Sequence, residues 1–464
     1  MHLYEAEFDL PIDVGALDIF ERLTSAAHLA ATDDAVPIRF VVTGPSFART
    51  SATSASHCEV GFLAGLSSSS HPRPDSIFRF RRRLFENQDQ FNAVFLVPTG
   101  IGAAIGGHAG DATPAARTIA AVCDRLIVHP NVVNAADINE MSANMLYVEG
   151  SVVTRLLMGT AGLAPVRRNR ILTVIHLHDE QIIVHNAINA VNAAKAAGGI
   201  QCTQIVPLPA EMSMTAHYSG SGRATGTVSR FDLLCDLVAH HRATADAVAI
   251  STVIDVSREL HDNYFLALGS ASKRDPGKRD ENDEDIINPW GGIEAMLTHG
   301  LSSLFNMPTA HSPMYEDVEL MNSDAEVMDP AKAAEGISVA FTHCIFKGLS
   351  ASPRIVTDPA AFGRGGVIAA EDVSCLIIPQ GCLGLPILAA LHQGIAVIEV
   401  RDSSNVMRNS LKDLPWAEGQ FFQAENYFEA AGLIAAMRAG VAPETVKRPL
   451  HLVRGSTMLK DQSR

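Results

Sequence analysis

Apolar and polar positions follow two rhythms along this chain. Tyr4-Glu-Ala-Glu-Phe-Asp-Leu10 alternates with the two-residue period of a half-buried strand, residues 16–27 carry helical spacing, and Val36-Pro-Ile-Arg-Phe-Val-Val42 is a short apolar run. Strand, helix and strand are therefore predicted for the first 45 residues. From Gly44 to Ser76, Ser, Thr, Ala and Gly dominate, with serines at 67–70 and prolines at 72 and 74, which is loop composition.

A stricter grammar begins at Phe91. Ala93-Val-Phe-Leu-Val97 is uniformly apolar, as a strand covered on both faces should be. A glycine-rich turn follows, then helical spacing over 113–123 with Pro114 in the first turn, then a strand from Arg125. Strand, tight turn, helix, strand is the unit of a parallel sheet. The pattern recurs with strands at 171–177, 204–208, 247–253, 373–378 and 395–400. Helices are predicted at 186–197, 231–242, 292–304 and 385–393, with a helical start at 329–335. Residues 273–285 (KRDPGKRDENDED) are charged and interrupted by Pro and Gly, and read as an exposed boundary. The predicted fold class is α/β: two lobes with mainly parallel, Rossmann-like sheets and a small α+β N-terminal appendage. The lobes are placed at 91–270 and 290–440, the appendage at 1–90 and the boundary at 271–289.

Charge and cysteine usage narrow the function classes. With 36 Lys+Arg against 51 Asp+Glu, the net charge of −15 repels phosphate backbones and argues against nucleic acid and anionic membranes as partners. The acidic start, Met1-His-Leu-Tyr-Glu, lacks the basic and apolar segments of a secretory signal. Seven cysteines without a Cys-x-x-Cys pair point to reduced thiols, so a cytoplasmic location is expected. Arg79-Phe-Arg-Arg-Arg83 is a small basic cluster, read as a solvated surface or an interdomain salt-bridge site, with an anion-binding patch as the alternative.

Two strand-to-helix turns share a pattern that bears on chemistry. Leu96-Val-Pro-Thr99-Gly100-Ile-Gly102 and Ile377-Ile-Pro-Gln-Gly381-Cys382-Leu-Gly384 each place Pro-x-Gly after a buried run and a further glycine beyond it. Backbone N–H groups in such turns can face an anion beyond the carboxyl ends of parallel strands. Thr99, Gly100, Gly102, Gly106 and Gly107 on the first turn, with Gly381 and Gly384 on the second, are the candidate cradle. The spacing matches neither a Walker loop nor a dinucleotide fingerprint.

Cys382, between Gly381 and a predicted helix start, is positioned for a lowered pKa and is a candidate nucleophile or acid/base, with Cys344 as a second thiol. Among 18 histidines, His108, His129 and His311 lie beside predicted strand ends or turns and are acid/base candidates, His129 foremost. Asp111 closes the first turn and could cap the following helix. Asn131 follows His129-Pro, and Lys347 and Ser350 lie in a stretch with two cations and two hydroxyls suited to an anionic group. Tyr218-Ser-Gly-Ser-Gly-Arg223 reads as a flexible loop over a cleft. No cofactor is expected; the alternative is a divalent metal on His176, His178 and Asp179, which would share a face if the strand ran through them.

The segment Val97-Pro-Thr-Gly-Ile-Gly-Ala-Ala-Ile-Gly-Gly-His-Ala-Gly-Asp111, with His129-Pro-Asn131 and Lys347-Gly-Leu-Ser-Ala-Ser-Pro353, resembles a bacterial family of unknown function marked by a Val-Pro-Thr-Gly-Ile-Gly-Ala signature. The resemblance spans roughly residues 91–410 and implies no activity or catalytic residue. Gly381-Cys382 with its following helix locally resembles the aspartate/glutamate racemase superfamily, which implies two-thiol proton transfer; Phe341-Thr-His-Cys344 lacks the matching glycine. The expectation is an enzyme acting on a small, polar, anionic metabolite in an inter-lobe cleft by Cys/His chemistry, with isomerase or racemase ahead of lyase or hydrolase. The alternatives are a transferase using a nucleotide or phosphorylated donor and a non-catalytic metabolite-binding protein. A homodimer is expected of an acidic enzyme of this size.

Overall fold

The computed structural model describes residues 1–10, 13–31, 34–44, 56–261, 264, 286–323, 330–338, 340–450 and 452. The charged stretch at 273–285 lies outside them, as do part of the loop at 44–76 and Asp329.

Three sheets of a mixed α/β fold carry the site. The largest parallel sheet has the order Phe421–Ala424, Ala396–Val400, Val373–Pro379, Asn92–Phe95, Arg125–Val128, Met145–Tyr147. Its central strands are buried along their length, which is why they read as unbroken apolar runs. A second parallel sheet runs Thr309–Met314, Ala247–Val253, Arg170–His176, Gln201–Leu208. The third is largely antiparallel: Ser213–Tyr218, Ala224–Ser229, His2–Leu10, Ser56–Ala64, Val36–Val42 and the short Leu383–Gly384.

Sheet membership cuts across sequence order. The six-stranded parallel sheet joins segments near 92–147 to segments near 373–424, and the antiparallel sheet joins residues 1–64 to the 213–229 hairpin and to 383–384. Strand Ser56–Ala64, inside the expected loop, pairs with His2–Leu10 on one side and Val36–Val42 on the other. The expected flexible loop at Tyr218–Arg223 is instead a hairpin turn, closed by the Ser219 N–H to the Arg223 carbonyl at 2.8 Å. Arg223 itself is 1% exposed and pairs with the buried Glu59 of the central strand.

Helix Gly291–Phe305 is the hub. It packs against Ala224–Ser229, Val36–Val42, Thr309–Met314 and helix Gly150–Leu157, so it touches two of the sheets directly and the helix that follows the edge strand of the third. Helix Gln181–Gly198 starts earlier than its spacing suggests and ends at Gly199 in the left-handed conformation. The expected helix over 329–335 is a single turn, Ala333–Gly336. Of the basic cluster, Arg81 pairs with Glu371 at 2.8 Å, and Arg83 donates to the carbonyls of Val373 and Gly394. Those arginines tie the chain to the ends of sheet and helix.

Candidate functional site

Three neighbouring strands of the large parallel sheet end side by side. Phe95 is in register with Val128, and Val128 with Tyr147. The residues just past those ends, Val97, His129 and Glu149-Gly150, therefore converge at the carboxyl edge, where ligands of open parallel sheets bind. Opposite them, helix Gly291–Phe305 brings Glu294 and His299, and strand Thr309–Met314 brings His311. His129, Glu149, Gly150, Glu294, His299 and His311 line one cavity of about 280 Å³, together with Arg39 and Phe40 of the antiparallel sheet. That volume is near the lower end for small-molecule sites.

Glu149 organises one wall. Its Oε2 accepts from the Ser151 and Val152 N–H groups and from the Ser151 hydroxyl, which caps helix Gly150–Leu157. Its Oε1 accepts from His299 Nδ1 at 2.5 Å and from the Thr298 hydroxyl at 3.3 Å. Burial alone would raise the Glu149 pKa, but His299 and the Ser151 donors outweigh it and hold the carboxyl at about 2. The carboxylate thus fixes a proton on His299 Nδ1, so proton exchange at this ring takes place at Nε2.

His129 is held in the complementary state. Its Nε2 accepts the Val97 N–H at 3.1 Å, a bond only the neutral ring can accept, so Nδ1 carries the proton. Burial pushes its pKa down to about 4, with Glu149 opposing and His299 reinforcing the shift. Gly150 separates the two rings. A Cβ placed there would lie 3.1 Å from His299 Cε1, 3.8 Å from His299 Nε2 and 4.0 Å from His129 Nδ1. A bare acceptor and a bare donor thus border the same gap.

A second polar group flanks the first glycine turn. Glu335, buried, accepts from the Ala109 N–H at 2.8 Å and from the Tyr264 hydroxyl at 3.1 Å, and His108 Nδ1 lies 3.0 Å from the same hydroxyl. Burial raises the pKa of Glu335 and drives Asp111 up to about 7.

The two glycine turns do border one cavity: Thr99, Gly100, Gly102, Gly106, Gly107 and His108 meet Cys382 and Gly384 there, along with His129, Asn131, His311 and Cys344. Asp111, Gly381, Lys347 and Ser350 do not line it. The expected anion cradle is occupied in part by the chain's own carboxylates. Gly106 N–H donates to Asp111 at 2.7 Å, Ala109 N–H to Glu335, and Gly381 N–H to Glu399 at 3.1 Å. Leu383 and Gly384 are paired with Val42 and Val41. Asp111 braces this turn and does not cap the helix, whose N-cap is Ala112. Gly100 is required sterically: it has φ +80°, and a Cβ would sit 2.5 Å from the Ala224 carbonyl. Asn131 braces the turn by donating to the carbonyls of Val97 and Gly106.

The activated thiol is also corrected. Cys382 is 2% exposed, and burial, with Glu399 nearby, pushes its pKa far up. Cys344 is buried in helix Thr342–Ser350 and shifted the same way. Neither supplies a thiolate at neutral pH. Lys347 donates to the Asn139 carbonyl and Ser350 to the Lys347 carbonyl, so both serve the helix end. The strand ends at His176, so His178 and Asp179 lie beyond it. His178 is engaged through both ring nitrogens, with the Glu316 carbonyl and the Glu180 N–H, which removes it as a metal ligand.

Sequence reasoning placed His129 and His311 but missed Glu149, His299, Glu294 and Glu335. Glu149 stood just before a helix that was not predicted. His299 lay inside the predicted helix at 292–304, but nine residues of that helix are buried and no polar face marks the residues turned to the cavity.

Comparison with known proteins places the chain. A model of a protein family of unknown function, DUF3326, matches residues 92–447. The chain belongs to this family. It is also 33% identical over 356 residues to an uncharacterized lipoprotein of Synechococcus sp., covering 76% of this chain and 92% of that protein. No solved structure matches. The matched family region begins at the first strand of the large parallel sheet and contains His129, Glu149, His299 and His311. Among the described residues, no helix is long and apolar enough to cross a membrane.

Proposed function

We propose that this DUF3326 protein is an acid–base enzyme that moves protons on a small polar carbonyl or carboxylate compound bound in the cavity. The observation that carries this reading is the Glu149–His299 contact at 2.5 Å beside the oppositely polarised His129. His299 Nε2 is the general base, and Glu149 stabilises the imidazolium formed when it accepts a proton. The C–H electrons pass toward the substrate oxygen, where the His129 Nδ1–H donates to the developing negative charge. A neutral imidazole suits that role because it has no net charge to lose in a buried site. Isomerase chemistry is favoured because two oppositely polarised imidazoles suit proton transfer, and the buried thiols offer no nucleophile for hydrolysis through a covalent thioester.

Deuterium wash-in across a panel of compounds tests this. The protein is incubated in D2O with a mixture of small hydroxy, oxo and amino acids, and products are read by mass spectrometry. Wild type is expected to label at least one member, and His299→Asn to slow labelling by about 10²–10⁴-fold. Absence of wild-type labelling across the panel, or undiminished labelling by the variant, contradicts the reading.

A cytoplasmic location is proposed from seven free cysteines, six of them buried. The Synechococcus relative is named a lipoprotein, which favours a membrane-attached alternative. Fractionation of cells expressing the native gene separates the two.

A further inference from the structure

His311 stands in the same cavity and has no part in the chemistry above. Its side chain is 1% exposed. Nε2 lies 2.8 Å from the Thr252 hydroxyl, and that hydroxyl lies 3.0 Å from the Met214 sulfur. With the hydroxyl proton directed to sulfur, the Thr252 oxygen accepts from His311 Nε2–H. The other nitrogen, Nδ1, is buried without a hydrogen-bond partner and faces a Glu294 carboxylate oxygen at 3.6 Å. A proton on Nδ1 would point toward that carboxylate, an arrangement the ring reaches when Nε2 accepts from the Thr252 hydroxyl or when both nitrogens are protonated. Glu294 is 24% exposed at its side chain and lines the cavity with His311.

Helix geometry sets this pair apart from His299. Glu294 and His299 are five residues apart on helix Gly291–Phe305, or about 7.5 Å along its axis at 1.5 Å per residue. The cavity therefore presents His299 at one point and the His311–Glu294 pair at another.

We propose that His311 and Glu294 form a second proton-transfer pair, the acid that completes the reaction begun by His299. This deepens the acid–base reading and rests on it. The substrate class is a small hydroxycarbonyl or unsaturated carbonyl compound, and the reaction is a proton shift between two of its atoms. His299 Nε2 takes a proton from one carbon, and the C–H electron pair becomes a carbon–carbon double bond with charge on oxygen. In an unsaturated carbonyl compound the His311–Glu294 proton then forms a new C–H bond at the far carbon as the double bond shifts and the carbonyl re-forms; in a hydroxycarbonyl it adds to the former carbonyl carbon while the hydroxyl proton passes to the former carbonyl oxygen and the hydroxyl carbon becomes the new carbonyl. His299 releases its proton to water and the His311–Glu294 pair regains one, so the step is redox-neutral and needs no co-reactant.

Position-resolved labelling tests the assignment. Wild type, His311→Asn, Glu294→Gln and His299→Asn are each incubated in D2O with a panel of small hydroxycarbonyl and unsaturated carbonyl acids. NMR then reads deuterium at each carbon together with net conversion to the isomer. Wild type is expected to label two carbons and convert. His311→Asn and Glu294→Gln are expected to lose label at the second carbon and net conversion by about 10²-fold or more, while exchange at the first carbon continues. His299→Asn loses both. Folding of each variant is checked by its melting temperature, and Glu294→Gln, at a partly exposed site, carries the test if His311→Asn unfolds. Retained conversion with both sites labelled in these two variants overturns the pair while leaving the His299 reading intact. Absence of any exchange by wild type overturns both.

Discussion

Asp111 and His129 stand near the ends of neighbouring segments, and burial drives their titrations in opposite directions. His129 falls from 6.5 to about 4, so between those values the unfolded chain binds the proton and the folded one does not. Its contribution is present above pH 6.5 and is lost as pH falls toward 4, worth about 3 kcal/mol. Asp111 rises from 3.8 to about 7, so the folded chain holds the extra proton, and stability is lost as pH rises through that window. Desolvation is the main cause; the Gly106 and His108 backbone contacts oppose it and Glu335 adds repulsion. Asp111→Asn keeps an acceptor for the Gly106 N–H and removes the ionisation. Its melting temperature should exceed that of wild type by a margin that widens from pH 4 to 7 and levels off above, measured by calorimetry. A margin independent of pH would refute the assignment. This level was the least legible in the sequence: glycine beside Cys382 suggested an activated thiol, whereas burial under the turn decides its state.

Among the elements, helix Gly150–Leu157 shows how a cap becomes part of a site. One carboxylate, Glu149, holds the helix N-terminus through one oxygen and His299 through the other. Gly150 leaves the gap between the rings, and its backbone needs no positive φ, so alanine is tolerated by the helix itself. Gly150→Ala should therefore shift His299 and cut the exchange rate by about 10²-fold while moving the melting temperature by only a few degrees. Unchanged exchange would place the reacting atoms elsewhere. Strands of the parallel sheets were legible because burial on both faces leaves an unbroken apolar run, as in Ala93–Val97. Ser56–Ala64 was not, since Ser, His, Glu and Gly interrupt its pattern; Glu59 is buried because Arg223 pairs with it. Helix Tyr427–Arg438 was also missed, its apolar residues being spread around the axis with little polar face.

On the scale of the molecule, the cavity exists only because distant segments meet. Residues 38–41, the two glycine turns, the 291–305 helix and the 309–314 strand share its walls. The meeting of the turns was readable from their shared Pro-x-Gly pattern and the rule that ligands lie past strand ends. Their chemistry was not, because Asp111, Glu335 and Glu399 take the N–H groups of Gly106, Ala109 and Gly381, and the histidines of the cavity stand on other elements. Sheet order was also hidden, since strands adjacent in space lie some hundreds of residues apart, as Asn92–Phe95 does from Val373–Pro379. The most direct measurement is a crystal structure with a compound that undergoes exchange. The account predicts its acidic carbon within reach of His299 Nε2 and its oxygen hydrogen-bonded to His129 Nδ1, over Gly150. A compound seated outside this cavity, or bound in it with both rings turned to protein partners, would contradict it.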